Sequence, residues 1–302
     1  MFAIDLLEYG RRELRNAGIE SANLDARILF AEAFDLKERY FASDFKISKK
    51  NYHLYQRFIK QRLDGKPVSK IVYNREFWKS NYYINDYTLD PRPDSETIIE
   101  TVIKLSKKEN FRQVLDLGTG SGCLITSILR ELHLSKGLAL DISFEAIKVA
   151  RFNSQILNLE NRIQFIVSDW FSSIRGKFDL IVCNPPYIAS SKIPLLSEEV
   201  KNYEPIKAID GGDDGLNSYR EIAGQINRFI NPNGKILLEI GVSQENEQSE
   251  EYGKDRASCL HVCAARVPTR KVGPVTVALC GGLGDESGPC RRKGRVGQYP
   301  HP

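Results

Sequence analysis

Apolar residues in the first sixty positions recur at the three- and four-residue spacing of an amphipathic helix. The clearest set is Leu24, Ile28, Ala31 and Phe34. Asn23, just before this set, is a candidate N-cap. An earlier helix is expected to end near Gly18, and a third covers residues 52–63 and stops before Gly65. These patterns predict a small all-helical domain over residues 1–70, which could serve packing and stability or could bind a partner.

Residues 72–87 have a different pattern, in which aromatic and β-favouring residues stand between polar ones. The aromatic residues are Tyr73, Phe77, Trp78, Tyr82, Tyr83 and Tyr87. Such a segment is typical of a hairpin or an extended connection. We therefore predict a β-hairpin linker over residues 71–90.

Short apolar segments then alternate with amphipathic ones. The predicted strands are Gln113–Leu117, residues 137–141, Ile163–Val167, Phe178–Cys183 and residues 235–240. Helices are predicted between the first three strands, over residues 123–132 and Phe144–Ile156. Strands that are apolar throughout and alternate with helices form parallel sheets covered on both faces. The predicted fold class is α/β, with a doubly wound, Rossmann-like sheet over residues 91–250.

The composition changes in residues 251–302, which we call the tail. All 28 Ile and all 17 Asn of the chain precede it, and it holds four of the six Cys. Cys259, His261, Cys263, Cys280 and Cys290 do not have the paired spacing of a zinc site, so we predict no metal. Only residues 275–279 resemble a strand. We interpret the tail as the product of an altered reading frame, which would leave strand 235–240 as an apolar sheet edge.

Charge and hydropathy narrow the possible partners. The 302 residues carry a formal net charge of +4, but nine of the 43 Lys/Arg and four of the 39 Asp/Glu lie in the tail. Residues 1–250 therefore hold 34 basic and 35 acidic side chains, which does not favour direct nucleic-acid binding. No apolar run approaches the roughly 20 residues of a membrane span, and no secretory signal is recognisable. The expected location is the cytoplasm.

A glycine-rich loop follows the first predicted strand. Asp116 and Leu117 are followed by Gly118, Thr119, Gly120, Ser121 and Gly122. Glycines at a strand-to-helix turn allow a ligand to approach the backbone closely. A dinucleotide fingerprint would need glycine at position 123, where this chain has Cys123, so the loop instead resembles the first motif of class I methyltransferases. Cys123 and Cys183 themselves are interpreted as small buried apolar residues.

Two further acidic positions follow the next strands. Asp141 ends the second strand, where a carboxylate can accept hydrogen bonds from ribose hydroxyls, although it could also cap the next helix. Asp169 and Trp170 follow the third strand. In the enzymes that this chain resembles, residues here hold adenine; Trp170 could equally be a core aromatic residue.

The segment Asn184, Pro185, Pro186 and Tyr187 follows the fourth strand. An amide nitrogen is a poor nucleophile, so a site must position it rather than deprotonate it. The Asn184 side-chain oxygen and the Pro185 carbonyl can each accept one N–H, while Pro186 fixes the backbone and Tyr187 can stack on the planar acceptor. A simple turn is the alternative interpretation.

Before the sheet stands Pro91-Arg92-Pro93-Asp94-Ser95-Glu96. Together with the helical domain, the hairpin and the Asn-Pro-Pro-Tyr segment, it resembles the release factor glutamine methyltransferase (HemK) family over about residues 1–244. Asp90 and Ser95 are mild departures, since the family often has an apolar residue and Thr there.

This resemblance implies transfer of a methyl group from S-adenosylmethionine to N5 of the glutamine in the Gly-Gly-Gln tripeptide of peptide chain release factors. The glycine loop (residues 118–122), Asp141, Asp169, Trp170 and Asn184 would bind the cofactor. Asn184 to Tyr187 would form the glutamine pocket, bordered by Arg92, while Asp94 and Glu96 would order their loop. The helical domain would dock the release factor. Two alternatives stay open: a nucleic-acid N-methyltransferase that acts on adenine or guanine, and a damaged, non-catalytic member of the family.

Overall fold

The computed structural model describes residues 2–36 and 47–241, and beyond them the backbones of two strands. Four helices precede the hairpin: α1 (Ala3–Asn16), α2 (Ala22–Ala33), α3 (Lys49–Leu63) and α4 (Val68–Val72). Their apolar faces enclose one core, in which Leu14, Phe30 and Tyr55 are completely buried. The predicted helical domain is therefore present.

The orientation of α2 differs from the sequence prediction. Its N-cap residue is Ser21 rather than Asn23, and Leu24 is 50% exposed. The buried face instead contains Asp25, which accepts a hydrogen bond from Arg62 Nε at 2.7 Å. A buried ion pair between α2 and α3 sets this orientation, and the apolar spacing alone did not reveal it.

The predicted hairpin is confirmed. Strands β1 (Asn74–Phe77) and β2 (Ser80–Tyr83) pair antiparallel. Tyr82 is completely buried, and its hydroxyl lies 2.9 Å from both Thr126 Oγ1 and Ser127 Oγ. The hairpin is thereby fixed against a helix of the following sheet.

The main sheet has seven strands in the order β5-β4-β3-β6-β7-β9-β8. Their bounds are β3 (Gln113–Leu117), β4 (Lys136–Asp141), β5 (Ile163–Val167), β6 (Phe178–Cys183), β7 (Ile230–Gly241), β8 (Ala265–Val267) and β9 (Val275–Gly282). β3 to β7 are mutually parallel, as predicted. The order reverses between β3 and β6, and ligands of such sheets bind at the carboxyl ends beside this switch point.

Helices cover both faces of the sheet. The helices that follow the hairpin are α5 (Glu96–Ser106), α6 (Cys123–Glu131), α7 (Phe144–Ile156), α8 (Glu198–Tyr203), α9 (Ile206–Ile209) and α10 (Asn217–Gln225). Successive strand residues alternate between two cores: Val114 belongs to the core with α5 and α6, and Leu115 to the core with α10. The sequence analysis located α6 and α7 but missed the other four helices.

The expectation of an uncovered apolar edge at β7 is wrong. β9 pairs parallel with β7 from Lys235 to Gly241, and β8 pairs antiparallel with β9. β9 contains the predicted strand 275–279, whereas β8 was not predicted. Within the described residues, no helix is both long and apolar enough to cross a membrane.

Candidate active site

The carboxyl ends of β3, β4 and β6 surround a cavity of about 640 Å³. Most predicted site residues line it: Gly118, Thr119, Gly120, Ser121, Asp141, Asp169, Trp170, Asn184 and Pro186. Gly122, Pro185 and Tyr187 are not among the lining residues. Arg92 borders the cavity as expected, and so do Pro205 and Ile206.

The three glycines of the loop have different structural roles. All have positive φ, at +68° for Gly118, +54° for Gly120 and +79° for Gly122. A Cβ at Gly118 or Gly120 would meet no protein atom within 4 Å, whereas one at Gly122 would lie 3.1 Å from Ala150 Cβ. The first two glycines therefore leave room on the cavity side, and the third permits close packing of the loop on α7.

Asp141, the last residue of β4, joins this strand to the glycine loop. Its carboxylate accepts the Gly120 N–H at 2.9 Å and the Ser143 N–H at 2.8 Å, one on each oxygen. Each oxygen retains a further lone pair for a hydroxyl donor. Burial raises the pKa of Asp141, while the Ser143 and Gly120 N–H groups oppose the shift. The helix-cap alternative belongs to Ser143, whose Oγ accepts the Ala146 N–H at 3.2 Å.

Asp116 lies beneath the loop and is only 1% exposed. Its Oδ2 accepts a hydrogen bond from Thr119 Oγ1 at 2.6 Å, while Oδ1 is buried without a hydrogen-bond partner. Burial raises its pKa to about 7, the Thr119 hydroxyl opposes the shift, and nearby Asp141 adds to it. The sequence analysis quoted Asp116 only as part of the motif and did not identify this perturbed acid.

Asp169 and Trp170 form the far wall. Asp169 is exposed, while Trp170 is half-buried and has a φ of +43°. Trp170 packs against the sheet core and also lines the cavity, so both interpretations of this side chain apply. Ser168 Oγ donates to the Trp170 carbonyl at 2.9 Å, which stabilises this unusual backbone turn.

The Asn184 segment contacts a residue that the sequence analysis missed. Asn184 Nδ2 donates to Ser95 Oγ at 3.2 Å, and Ser95 Oγ in turn donates to Glu239 Oε2 on β7. Tyr187 Oη donates to Glu239 Oε1 at 3.4 Å. Burial raises the pKa of Glu239 to about 7. Hydrogen bonds from Ser95, Asn184 and Tyr187 oppose this shift, and the nearby charge of Asp94 adds to it. A single carboxylate inside an otherwise apolar strand was the signal that could have identified it.

Arg92 belongs to a second group of charges, between the helical domain and the sheet. Arg92 NH2 lies 2.9 Å from Glu204 Oε1, and the Lys70 ammonium lies 3.4 Å from Glu204 Oε2. Lys70 is completely buried and also donates to the carbonyls of Asn85 and Thr88. This cluster fixes the Arg92 segment next to Pro205 at the cavity wall. Glu96 accepts the Trp78 N–H at 2.7 Å, in line with a role in ordering the segment.

The cysteines contribute little to the site. Cys183 is buried as predicted, whereas Cys123 is only half-buried and lines the cavity. The described residues contain no group of three or more His, Cys, Asp or Glu that could hold a metal ion. The side chains of Cys259, His261, Cys263, Cys280 and Cys290 lie outside the described part of the chain.

Comparison with known proteins gives consistent matches. The PrmC N-terminal domain family matches residues 5–72, and the Methyltransferase small domain family matches residues 94–199. A release factor glutamine methyltransferase of Rhodospirillum rubrum is 38% identical over 244 residues, which cover 80% of this chain and 75% of that protein. The enzyme of the same name from Agrobacterium fabrum is 35% identical and is covered to 89%, and that of Bradyrhizobium diazoefficiens is 37% identical and is covered to 80%. These two matches include 83% and 76%, respectively, of the residues of this chain.

Proposed function

The chain belongs to the release factor glutamine methyltransferase family, and we propose that it methylates the N5 amide nitrogen of the glutamine in the Gly-Gly-Gln tripeptide of peptide chain release factors. The observation that carries this proposal is the position of Asn184 beside the glycine-loop cavity, at the carboxyl end of β6. An amide acceptor and a methyl donor can both reach this point.

S-adenosylmethionine is the methyl donor, and the cavity fits it. When bound, it supplies an electrophilic methyl group on a positively charged sulfur. Gly118 and Gly120 leave backbone surface open to a ligand, and Asp141 retains acceptor capacity for two ribose hydroxyls. Trp170 offers an aromatic face at the cavity wall, and Asp169 can accept a hydrogen bond from an amino group. We therefore assign residues 118–122, Asp141, Asp169, Trp170 and Asn184 to the cofactor.

The acceptor side works by orientation. Within the described residues, no protein donor is hydrogen-bonded to Asn184 Oδ1 or to the Pro185 carbonyl oxygen. These two oxygens can take the two N–H bonds of a glutamine amide and direct the nitrogen lone pair toward the donor. Pro185 and Pro186 restrict the backbone that carries the carbonyl, and Tyr187 completes the pocket. As the amide nitrogen gains the methyl group, the bond between that methyl and the donor sulfur would break to leave a neutral thioether. The nitrogen would release one proton to water, so the product is a neutral secondary amide.

The remaining parts of the chain have supporting roles in this proposal. The helical domain, residues 1–70, docks the release factor, and residues 71–90 connect it to the catalytic domain, residues 91–250. All residues assigned to the cofactor and to the glutamine precede the tail. The partner is a protein that acts in translation, so the reaction takes place in the cytoplasm, and no direct nucleic-acid contact is required.

The proposal is tested by methyl transfer from radiolabelled S-adenosylmethionine to purified, unmodified release factor. The wild-type chain should label the release factor, and a release factor with Gly-Gly-Ala in place of Gly-Gly-Gln should stay unlabelled. Asn184→Ala should reduce the rate by about a hundredfold or more, because the acceptor is no longer oriented.

Two other outcomes would reject the proposal. Labelling of transfer RNA or ribosomal RNA instead of the release factor would identify a nucleic-acid N-methyltransferase. Stable binding of S-adenosylmethionine without transfer to either class would identify a non-catalytic member of the family. In that case the measurement should be repeated on residues 1–250 joined to the C-terminal segment of the Rhodospirillum rubrum relative, to determine whether the tail abolishes activity.

A further inference from the structure

Ser95 occupies a helix start but does not cap the helix. It ends the short 3-10 turn Pro93–Ser95 and immediately precedes α5, where a serine hydroxyl usually accepts a backbone N–H of the first turn. Its side chain makes no capping hydrogen bond. Ser95 Oγ instead donates to Glu239 Oε2, 144 positions away, and both side chains are buried. The hydroxyl is therefore used at the site rather than at the helix end.

The direction of these hydrogen bonds determines how Asn184 presents its amide. A serine hydroxyl has a single proton, and Glu239, once ionised above its pKa of about 7, can only accept. When Ser95 donates to Glu239, it can offer Asn184 only a lone pair. Asn184 must then direct Nδ2 toward Ser95, as observed at 3.2 Å, and its Oδ1 is left to face the opposite way.

We propose that Ser95 and Glu239 are positioning residues that fix the side-chain amide of Asn184 with its oxygen toward the acceptor nitrogen. The inference rests on the proposed function, because only an acceptor with N–H bonds needs an oxygen there. An asparagine turned by 180° would present its NH2 group to the NH2 group of the glutamine, and the two donors would repel each other.

Glu239 also holds the far end of the same loop. Its second oxygen, Oε1, accepts a hydrogen bond from Tyr187 Oη. One buried carboxylate thus contacts the residue at the end of the segment and, through Ser95, the residue at its start. Backbone restriction by Pro185 and Pro186 between these two points makes the loop a rigid unit.

The first test compares two substitutions of Ser95. Ser95→Ala removes the Ser95 acceptor of Asn184 Nδ2, leaving the Asn184 contact with Glu239, and should lower kcat for release factor methylation about tenfold, the effect of one lost hydrogen bond. Ser95→Thr keeps the hydroxyl and should restore most of the rate. The Kd for S-adenosylmethionine should stay close to wild type in both variants. The melting temperature should fall by only a few degrees in Ser95→Ala, since one buried hydrogen bond to Glu239 is lost. Equal rates for Ser95→Ala and wild type would overturn the inference.

The second test reverses the direction of the hydrogen bonds. In Glu239→Gln, the remaining oxygen accepts from Tyr187, so the new N–H faces Ser95, and Ser95 then donates to Asn184. Asn184 must turn, and the rate should fall about tenfold. When Asn184→Asp is added to Glu239→Gln, the new carboxylate can accept both from Ser95 and from the glutamine amide. This double variant should methylate about fivefold faster than Asn184→Asp alone. If Glu239 has only a structural role, the rate losses of the two substitutions should add. The double variant should then be slower than Asn184→Asp alone.

A third measurement does not depend on activity. The measurement is hydrogen exchange of the Asn184 side-chain NH2 group with water, followed by NMR in a nitrogen-15-labelled sample. The resonance is assigned by its loss in Asn184→Ala. We expect slow exchange in the wild type and in Ser95→Thr, and fast exchange in Ser95→Ala. Fast exchange in the wild type would refute the positioning role. Slow exchange together with no transfer to any release factor would keep the positioning role and reject the proposed function.

Discussion

Carboxylates are buried both near the cavity and at the boundary between the helical domain and the sheet. The two regions differ in the groups that stabilise the buried charge. At the boundary, Glu204 is paired with Lys70 and Arg92, and Asp25 is paired with Arg62. Near the cavity, Asp116 and Glu239 accept hydrogen bonds, within the described residues, only from hydroxyl, amide and backbone N–H groups, and burial raises the pKa of each to about 7.

This difference separates structural charges from functional ones. A buried ion pair compensates desolvation within the protein and holds two elements together. A buried carboxylate without a cation lowers stability at neutral pH, and such groups accumulate where a ligand or a reaction requires them. The positive sulfur of the proposed cofactor would add a cation on the cavity side, and within the described residues no cationic side chain pairs with Asp116.

The largest expected effect is on stability at the boundary. Lys70→Met should lower the free energy of unfolding by about 3 kcal/mol, because Glu204 loses one of its two cations in a completely buried position. Lys201→Met is the matched control, since the Lys201–Glu198 pair is exposed and should change stability by less than about 1 kcal/mol. Urea denaturation measures both. A loss as small as in the control would show that the boundary charges are not structural.

The cavity acids should give the protein a characteristic pH dependence. The pKa of Asp116 is raised from 3.8 to about 7 in the folded state, so between these values the folded chain binds more protons than the unfolded chain. Its contribution to stability is complete below pH 4 and is lost as the pH rises through 7.

Asp116→Asn should remove this loss. Relative to wild type, the variant should gain about 2 kcal/mol in unfolding free energy between pH 5 and pH 8. Denaturation at the two pH values measures the gain. Asp214→Asn is the control, because Asp214 is exposed beside Arg220 and its pKa is lowered, not raised. If the unfolding free energy of Asp116→Asn changed with pH in parallel with that of wild type, Asp116 would not have the raised pKa.

A ligand experiment distinguishes acids at the two ends of the sheet. Asp141→Asn should weaken S-adenosylmethionine binding about thirtyfold, because one acceptor of a ribose hydroxyl becomes a donor. Asp179 accepts the N–H groups of Arg112 and Gln113 where β3 begins, away from the cavity. Asp179→Asn should therefore leave the Kd unchanged, as isothermal titration calorimetry can show. Equal weakening by both would mean that affinity reports overall stability.

The smallest effect concerns the glycine loop. Gly122→Ala should lower stability by about 1 to 2 kcal/mol, since alanine is strained at positive φ and its Cβ would crowd Ala150. In Gly118→Ala the new Cβ would contact no protein atom, so the variant should lose only about 1 kcal/mol of stability. It should reduce cofactor affinity more than Gly122→Ala does. Thermal melting with and without S-adenosylmethionine separates the two effects. The reverse ranking of affinities would mean that Gly118 does not face the ligand.

The sequence predicted the parts of the molecule that depend on local patterns. β3, β5, β6 and α7 have the predicted bounds, because their periodicity and flanking residues are written in contiguous positions. The glycine loop, Asp141 and Asn184 were located for the same reason, since each directly follows a strand of a parallel sheet.

Contacts between distant positions were not predictable in this way. The buried pair of Asp25 and Arg62 joins α2 to α3, and the contact of Ser95 with Glu239 joins residues far apart in the sequence. Both involve a polar residue in an apolar pattern, which signals a partner but does not identify it. In the tail, strand 275–279 was predicted, whereas β8 and the pairing of β9 with β7 were not, because the composition of the tail was weighed above local β propensity.

The most direct test of the central claim is the location of the transferred methyl group. After incubation with the wild-type chain and S-adenosylmethionine, the release factor should be digested and its Gly-Gly-Gln peptide sequenced by tandem mass spectrometry. We predict a mass increase of one methyl for hydrogen on the glutamine side chain and no such increase with Asn184→Ala. A methyl group on any other residue, or an unmodified peptide, would contradict the account of the cavity as a glutamine amide site.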